Sequence, residues 1–74
     1  MEAFEAEIAF AKMNLLAAQA NEKEAASARK AARKHMYRAW QLTGNVARVA
    51  RAMGLSRPYV SQMVTKARKE KPNG

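Results

Sequence analysis

Helix-breaking residues are rare in this chain and fall at few places. Its 74 residues include three glycines and two prolines, and before position 70 these are Gly44, Gly54 and Pro58 alone. Elsewhere alanine, leucine, methionine, glutamate, lysine and arginine dominate, and these residues have high helix propensity, whereas β-branched residues are few. The sequence therefore predicts an all-α fold of four helices in one domain.

The breaks divide the chain into four segments. We expect a first helix at about residues 2–20 in a dimerisation segment 1–21, and a second, basic helix at about 22–42. Asn21 and Glu24 fit a capping box between them, although one continuous helix is also compatible with the sequence. Residues 43–69 contain two further helices, and residues 70–74 are predicted to be a flexible tail.

Charge is divided unevenly along the chain, whose formal net charge is +8. Residues 1–24 contain five glutamates and two lysines, a net charge of −3, while residues 25–74 contain twelve bases and one glutamate, a net charge of +11. A basic segment of this size is typical of a protein that binds a polyanion, since an ordinary soluble surface mixes both signs.

The residue inventory argues against an enzyme and against a metal site or cofactor. The chain has no aspartate, no cysteine and one histidine, His35, which we expect at a helix surface or boundary. Paired carboxylates, a nucleophile with its base, and a metal cluster all need partners that are missing. We expect a cytoplasmic, nucleoid-associated protein without a membrane or small-molecule partner, since no export signal or membrane span is apparent.

The first helix has two apolar faces, of which its own domain needs only one. A homodimer is therefore expected, with the other face covered by a second copy. The alternative is a helix buried entirely by its own chain. The seam predicted to form the dimer contact comprises Phe4, Ile8, Ala11 and Leu15.

The second helix is basic on one side and apolar on the other. We interpret Met36, Tyr37, Trp40 and Leu42 as core residues. The basic residues on the opposite side are expected to be solvated or to face phosphates, and they are Arg29, Lys30, Arg33, Lys34 and Arg38.

The stretch "NVARVARAMGLSRPYVSQMVTKARK" predicts two short helices joined by a tight turn. Asn45 can cap the first, Gly54 can supply the positive φ that ends it, and Leu55 can anchor the turn in the core. Ser56 can cap the second helix, and Pro58 falls in its first turn, where a missing N–H costs no hydrogen bond. The predicted buried positions are Val46, Val49, Ala50, Met53, Val60, Met63, Val64 and Ala67.

This stretch resembles the helix-turn-helix of bacterial and phage DNA-binding proteins. "TGNVARVARAMGLSR" is similar to the C-terminal unit of the factor-for-inversion-stimulation family and of related enhancer-binding activators, and "LSRPYVSQ" is similar to recognition helices of small phage and plasmid repressors. The resemblance covers about residues 43–66. Nothing in the N-terminal part corresponds to the extended β-hairpin arm of the first family, so the arm's contacts are not implied.

The resemblance implies a sequence-preferring regulator that binds double-stranded DNA as a homodimer. The residues expected to face bases are Arg57, Pro58, Ser61, Gln62 and Thr65. The residues expected to contact phosphates are Asn45, Arg48, Arg51, Ser56, Tyr59, Lys66 and Lys69. Two alternatives remain: an adaptor of a polymerase, packaging or recombination complex that binds DNA loosely, and an RNA-binding helical protein.

Overall fold

The computed structural model describes residues 2–70, and the regular structure of these residues is entirely helical. The four α-helices and the 3-10 turn between the first two are α1 (Ala3–Ala20), the turn Glu22–Glu24, α2 (Ala25–Thr43), α3 (Val46–Met53) and α4 (Arg57–Glu70). The prediction of an all-α fold with four helices is confirmed. Within residues 2–70, none of the helices is both long and apolar enough to cross a membrane.

The junction between α1 and α2 is a real break, but it is not a reciprocal capping box. The Asn21 side-chain oxygen accepts a hydrogen bond from the Lys23 N–H at 3.0 Å, and Glu24 makes no capping bond with its side chain. The intervening residues form the 3-10 turn, so α2 begins at Ala25 rather than near residue 22.

Alanines allow α1 and α2 to pack antiparallel and close together. Ala11 of α1 and Ala32 and Ala39 of α2 are fully buried, and small side chains at a helix contact shorten the distance between the helix axes. His35 Nδ1 lies 2.6 Å from Glu7 Oε1 across this contact. His35 lies in the middle of α2 at its contact with α1, and its side chain joins the two helices.

The core forms where this pair of helices meets α3 and α4. Met36, Val49 and Val60 are its largest fully buried side chains, contributed by α2, α3 and α4 respectively. Trp40 packs against this core as predicted. Leu42 does not: it is 54% exposed, so its assignment to the core is wrong.

The α1 seam predicted to contact a second copy lies in the core of its own chain. Ile8 and Ala11 are buried there, and Phe4 and Leu15 pack against the same core. The assignment of these four residues to a dimer contact is therefore corrected. Both faces of α1 are apolar. Because α2 and α3 pack against the face that contains Ile8 and Ala11, the opposite face of α1 points outward.

The C-terminal end of α4 is fixed to α2 by a two-bond ion pair. Glu70 Oε2 lies 2.7 Å from Arg33 Nη2, and Glu70 Oε1 accepts a hydrogen bond from Arg33 Nε at 3.0 Å. Glu70 is thus the last residue of α4, and its assignment to a flexible tail is wrong. The other residues of that predicted tail, 71–74, lie outside the described part of the chain.

Candidate nucleic-acid interface

The turn between α3 and α4 is closed by backbone hydrogen bonds that need a glycine. Gly54 has φ +72°, its N–H donates to the Arg51 carbonyl at 3.2 Å, and the Leu55 N–H donates to the Ala50 carbonyl at 3.0 Å. This pair of bonds is a Schellman motif, in which a left-handed glycine satisfies the last carbonyls of a helix. The predicted role of Gly54 is confirmed.

Side-chain caps fix the beginnings of α3 and α4. Asn45 Oδ1 accepts a hydrogen bond from the Arg48 N–H at 3.1 Å, and Ser56 Oγ accepts one from the Tyr59 N–H at 3.3 Å. Pro58 lies in the first turn of α4. These local predictions are confirmed, and Leu55 packs against the core between the two helices.

α4 presents a polar side to solvent opposite its buried side. Val60, Val64 and Ala67 are buried, and at about 100° per residue the opposite side comprises polar or basic residues and one proline. We call the exposed residues of this surface the α4 outer face: Arg57, Pro58, Ser61, Gln62, Thr65 and Lys69. Arg57 lies in the first turn at the edge of this face, about 60° around the helix from Val60. The five residues predicted to face bases thus lie together on one surface that contains no acidic side chain.

The residues predicted to contact phosphates are all exposed, on both sides of the turn. Three of them also have structural roles. Asn45 and Ser56 cap helices, and the Arg48 guanidinium lies 4.7 Å from the centre of the Phe4 ring. This cation–π contact ties α3 to the beginning of α1 and restricts where the Arg48 charge can lie.

The helices α3 and α4 contain six bases and one acid, Glu70. The bases of α3 and α4 form no ion pair within residues 2–70, and they are Arg48, Arg51, Arg57, Lys66, Arg68 and Lys69. The carboxylate of Glu70 is already occupied by Arg33. The hydrogen bonds from Arg33 hold the pKa of Glu70 below its ordinary value, with the positive charges of Arg33, Lys30 and Lys66 adding to the effect. The positive charge of α3 and α4 is therefore available to an anionic ligand.

A basic groove between α2 and α4 was not anticipated from the sequence. It has a volume of about 490 Å³, and Lys30, Lys34 and Arg38 contribute to its lining. Their spacing of four residues places them along one side of α2, a signal that the sequence contained. The sequence grouped Arg33 with them, but the side chain of Arg33 is only 11% exposed and is neutralised by Glu70.

No family model, curated protein or solved structure matches this chain.

Proposed function

We propose that this protein is a sequence-preferring double-stranded DNA-binding protein, a small phage or bacterial transcription regulator that occupies or bends an operator as a homodimer. In this proposal α3 and α4 form a helix-turn-helix, and α4 is the recognition helix. The observation that carries the proposal is the α4 outer face, a polar and basic surface without acids on a helix that is capped at its beginning and fixed to α2 at its end.

Two side chains of this face have the chemistry for reading bases in the major groove. The Arg57 guanidinium can donate two hydrogen bonds to guanine O6 and N7, and the Gln62 amide can pair with adenine N6 and N7. Ser61 and Thr65 can make shorter polar contacts beside them, and Pro58 lies at the edge of the contact. Their common helix fixes the positions of these groups relative to one another.

Residues on either side of the recognition helix are assigned to the DNA backbone. Lys66 and Lys69 supply positive charge along α4, and Arg48 and Arg51 supply it from α3. Phosphate contacts position a protein on the duplex but contain no base information. Substitution of these bases should therefore weaken binding to all sequences alike.

The test is the salt dependence of binding, together with selection of bound sites from random duplex DNA. If a dimer neutralises roughly six to nine phosphates, the log–log slope of affinity against salt should be on the order of −5 to −8. Lys12→Ala is the matched control for alanine substitutions of the bases in α3 and α4, because it removes one exposed lysine from the acidic N-terminal part of the chain. It should leave the salt slope unchanged.

Three results would contradict the proposal. A slope near zero would show that the basic surface is merely solvated. Equal affinity for all duplex sequences would remove the recognition role of α4 and favour the loosely binding adaptor. Stronger binding to structured RNA than to duplex DNA in competition would favour the RNA-binding alternative.

A further inference from the structure

The outward face of α1 is apolar along the whole helix. Phe10, Met13 and Leu16 are 49%, 63% and 65% exposed, and they are three of the five large apolar side chains exposed in the described chain. At about 100° per residue, alanines surround them on the same side of the helix. We call this surface the α1 outer face: Ala6, Ala9, Phe10, Met13, Leu16, Ala17 and Ala20.

Side-chain size on this face is symmetric about Met13. Phe10 and Leu16 lie three residues before and after it. Alanines also lie at equal distances before and after Met13: Ala9 and Ala17 are four residues from it, and Ala6 and Ala20 are seven residues from it. A face with this arrangement has the same order of large and small groups when read in either direction.

A two-fold axis through Met13 would relate two antiparallel copies of this face. It places residues equidistant from the centre at the same height on the two helices, and each contact occurs twice. Around the helix, Phe10 and Ala17 lie on one edge of the face, and Leu16 and Ala9 lie on the other. Each large side chain would therefore pack beside an alanine of the second copy, with the two Met13 side chains meeting at the axis.

We infer that two copies of this chain pair antiparallel through the α1 outer face, centred on Met13. The inference names the contact of the homodimer in the proposed function, but its test needs no DNA, so the two can fail separately. Covering this face would bury roughly 800–1,000 Å² in total, near the lower limit for a specific interface, so the dimer is expected to be weak and reversible.

The rest of the molecule is compatible with this occupant. Within residues 2–70 no Cα atom of α1 lies within 8 Å of a Cα atom of α4, so pairing through the outward side of α1 leaves the α4 outer face uncovered. Glu5 and Lys12 lie beside the α1 outer face and Glu7 is bonded to His35, so the face presents no net positive charge that would attract a nucleic acid or an anionic membrane surface. A second copy of the apolar face needs no such charge complement.

The first test is sedimentation equilibrium of the parent chain and two charge variants. Met13→Glu should raise the dimer dissociation constant at least tenfold, because it brings two carboxylates together at the axis. Leu42→Glu introduces the same charge at a similarly exposed leucine in the last turn of α2, and it should leave the constant unchanged. A parent chain that remains monomeric at several hundred micromolar, or equal effects of the two substitutions, would overturn the inference.

The second test establishes the direction of pairing with single cysteines, which is practical because the chain has none. Mixing Ala6→Cys with Ala20→Cys should give mainly the mixed disulfide dimer, whereas each variant alone should cross-link several-fold more slowly. Met13→Cys alone should cross-link rapidly. Preferential Ala6→Cys homodimers would indicate parallel helices, and equal rates in all mixtures would indicate random collision, so either result would overturn the assigned geometry. Circular dichroism establishes in each case that the helical fold is retained.

Discussion

The pair α1 and α2 and the pair α3 and α4 are fixed by different means. The first pair is long, and it is held by a seam of buried alanines and by the bond between Glu7 and His35. The second is short, and its geometry is set by two side-chain caps and the left-handed Gly54. The first leaves an apolar surface exposed, whereas the second leaves a polar and basic one.

This difference separates two kinds of surface in a very small protein. Burial of one face along its length stabilises the long helix α1. Its other apolar face is left exposed and can contact a second copy. The eight-residue α3 buries Val49, Ala50 and Met53 but is too short to be a stable helix alone, and the hydrogen bonds at its two ends fix the angle at which α4 leaves the turn. The assembly and DNA-binding roles proposed here accordingly fall on opposite ends of the sequence.

The largest expected effect separates the two faces of α1. Ile8→Glu places a carboxylate in the core, where an unpaired buried charge costs about 3–5 kcal/mol, a large part of the stability of a small domain. Ile8→Glu should therefore unfold the chain or nearly so, while Met13→Glu should keep its helical signal and its cooperative melt. Urea titrations followed by circular dichroism measure both. A folded, monomeric Ile8→Glu variant would restore the original assignment of that seam to a dimer contact.

The next effect distinguishes base reading from backbone contact on the α4 outer face. Gln62→Ala should cost about 1–3 kcal/mol on the selected site and relax preference at one base pair per half-site, with non-specific binding nearly intact. Lys69→Ala should weaken binding to all sequences alike and flatten the salt slope.

Binding curves for these two variants are needed on the selected site, on single-base variants and on a scrambled duplex at one salt concentration. If Gln62→Ala lowers affinity equally on all three while the fold and the dimer remain intact, Gln62 contacts the backbone and its base-reading role is wrong.

A smaller effect is expected at the turn itself. Gly54→Ala should destabilise the chain by about 1–2 kcal/mol, because an L-residue is strained in the left-handed region. A Cβ built at Gly54 has no atom within 4 Å, so the cost comes from the backbone and not from a clash. A chain synthesised with D-alanine at position 54 should recover the parent's midpoint of urea unfolding. Equal loss with both enantiomers would contradict this account.

The smallest effect concerns the ion pair between Arg33 of α2 and Glu70 of α4. Because the pKa of Glu70 is lowered in the folded chain, the pair stabilises the fold above the ordinary glutamate value of 4.5, and this stability is lost as the pH falls through the lowered value. Glu70→Gln should therefore lower the melting temperature at pH 7, and its difference from the parent should shrink toward pH 3. A difference that stays constant with pH would show that the charge of Glu70 is not responsible.

The predictions that the structure confirms concern local chemistry. The beginning and end of α3 follow from Asn45 and Gly54, because caps and left-handed glycines act within three or four residues of themselves. The prediction that the α4 outer face is polar likewise needed only helical periodicity and Val60, Val64 and Ala67 as the buried side. The sequence by itself therefore determined the four helices, the turn between the last two and the surface that α4 exposes.

Which face of α1 lies inside was decided only by tertiary packing. Both faces are apolar, so periodicity cannot choose between Ile8 and Met13, and the choice depends on how the side chains of α2 and α3 fit against one of them. The same holds for Arg33, whose partner Glu70 lies 37 residues away and meets it only because α4 packs along α2. Contacts between distant residues depend on the shapes of several helices together, and no local pattern encodes those shapes.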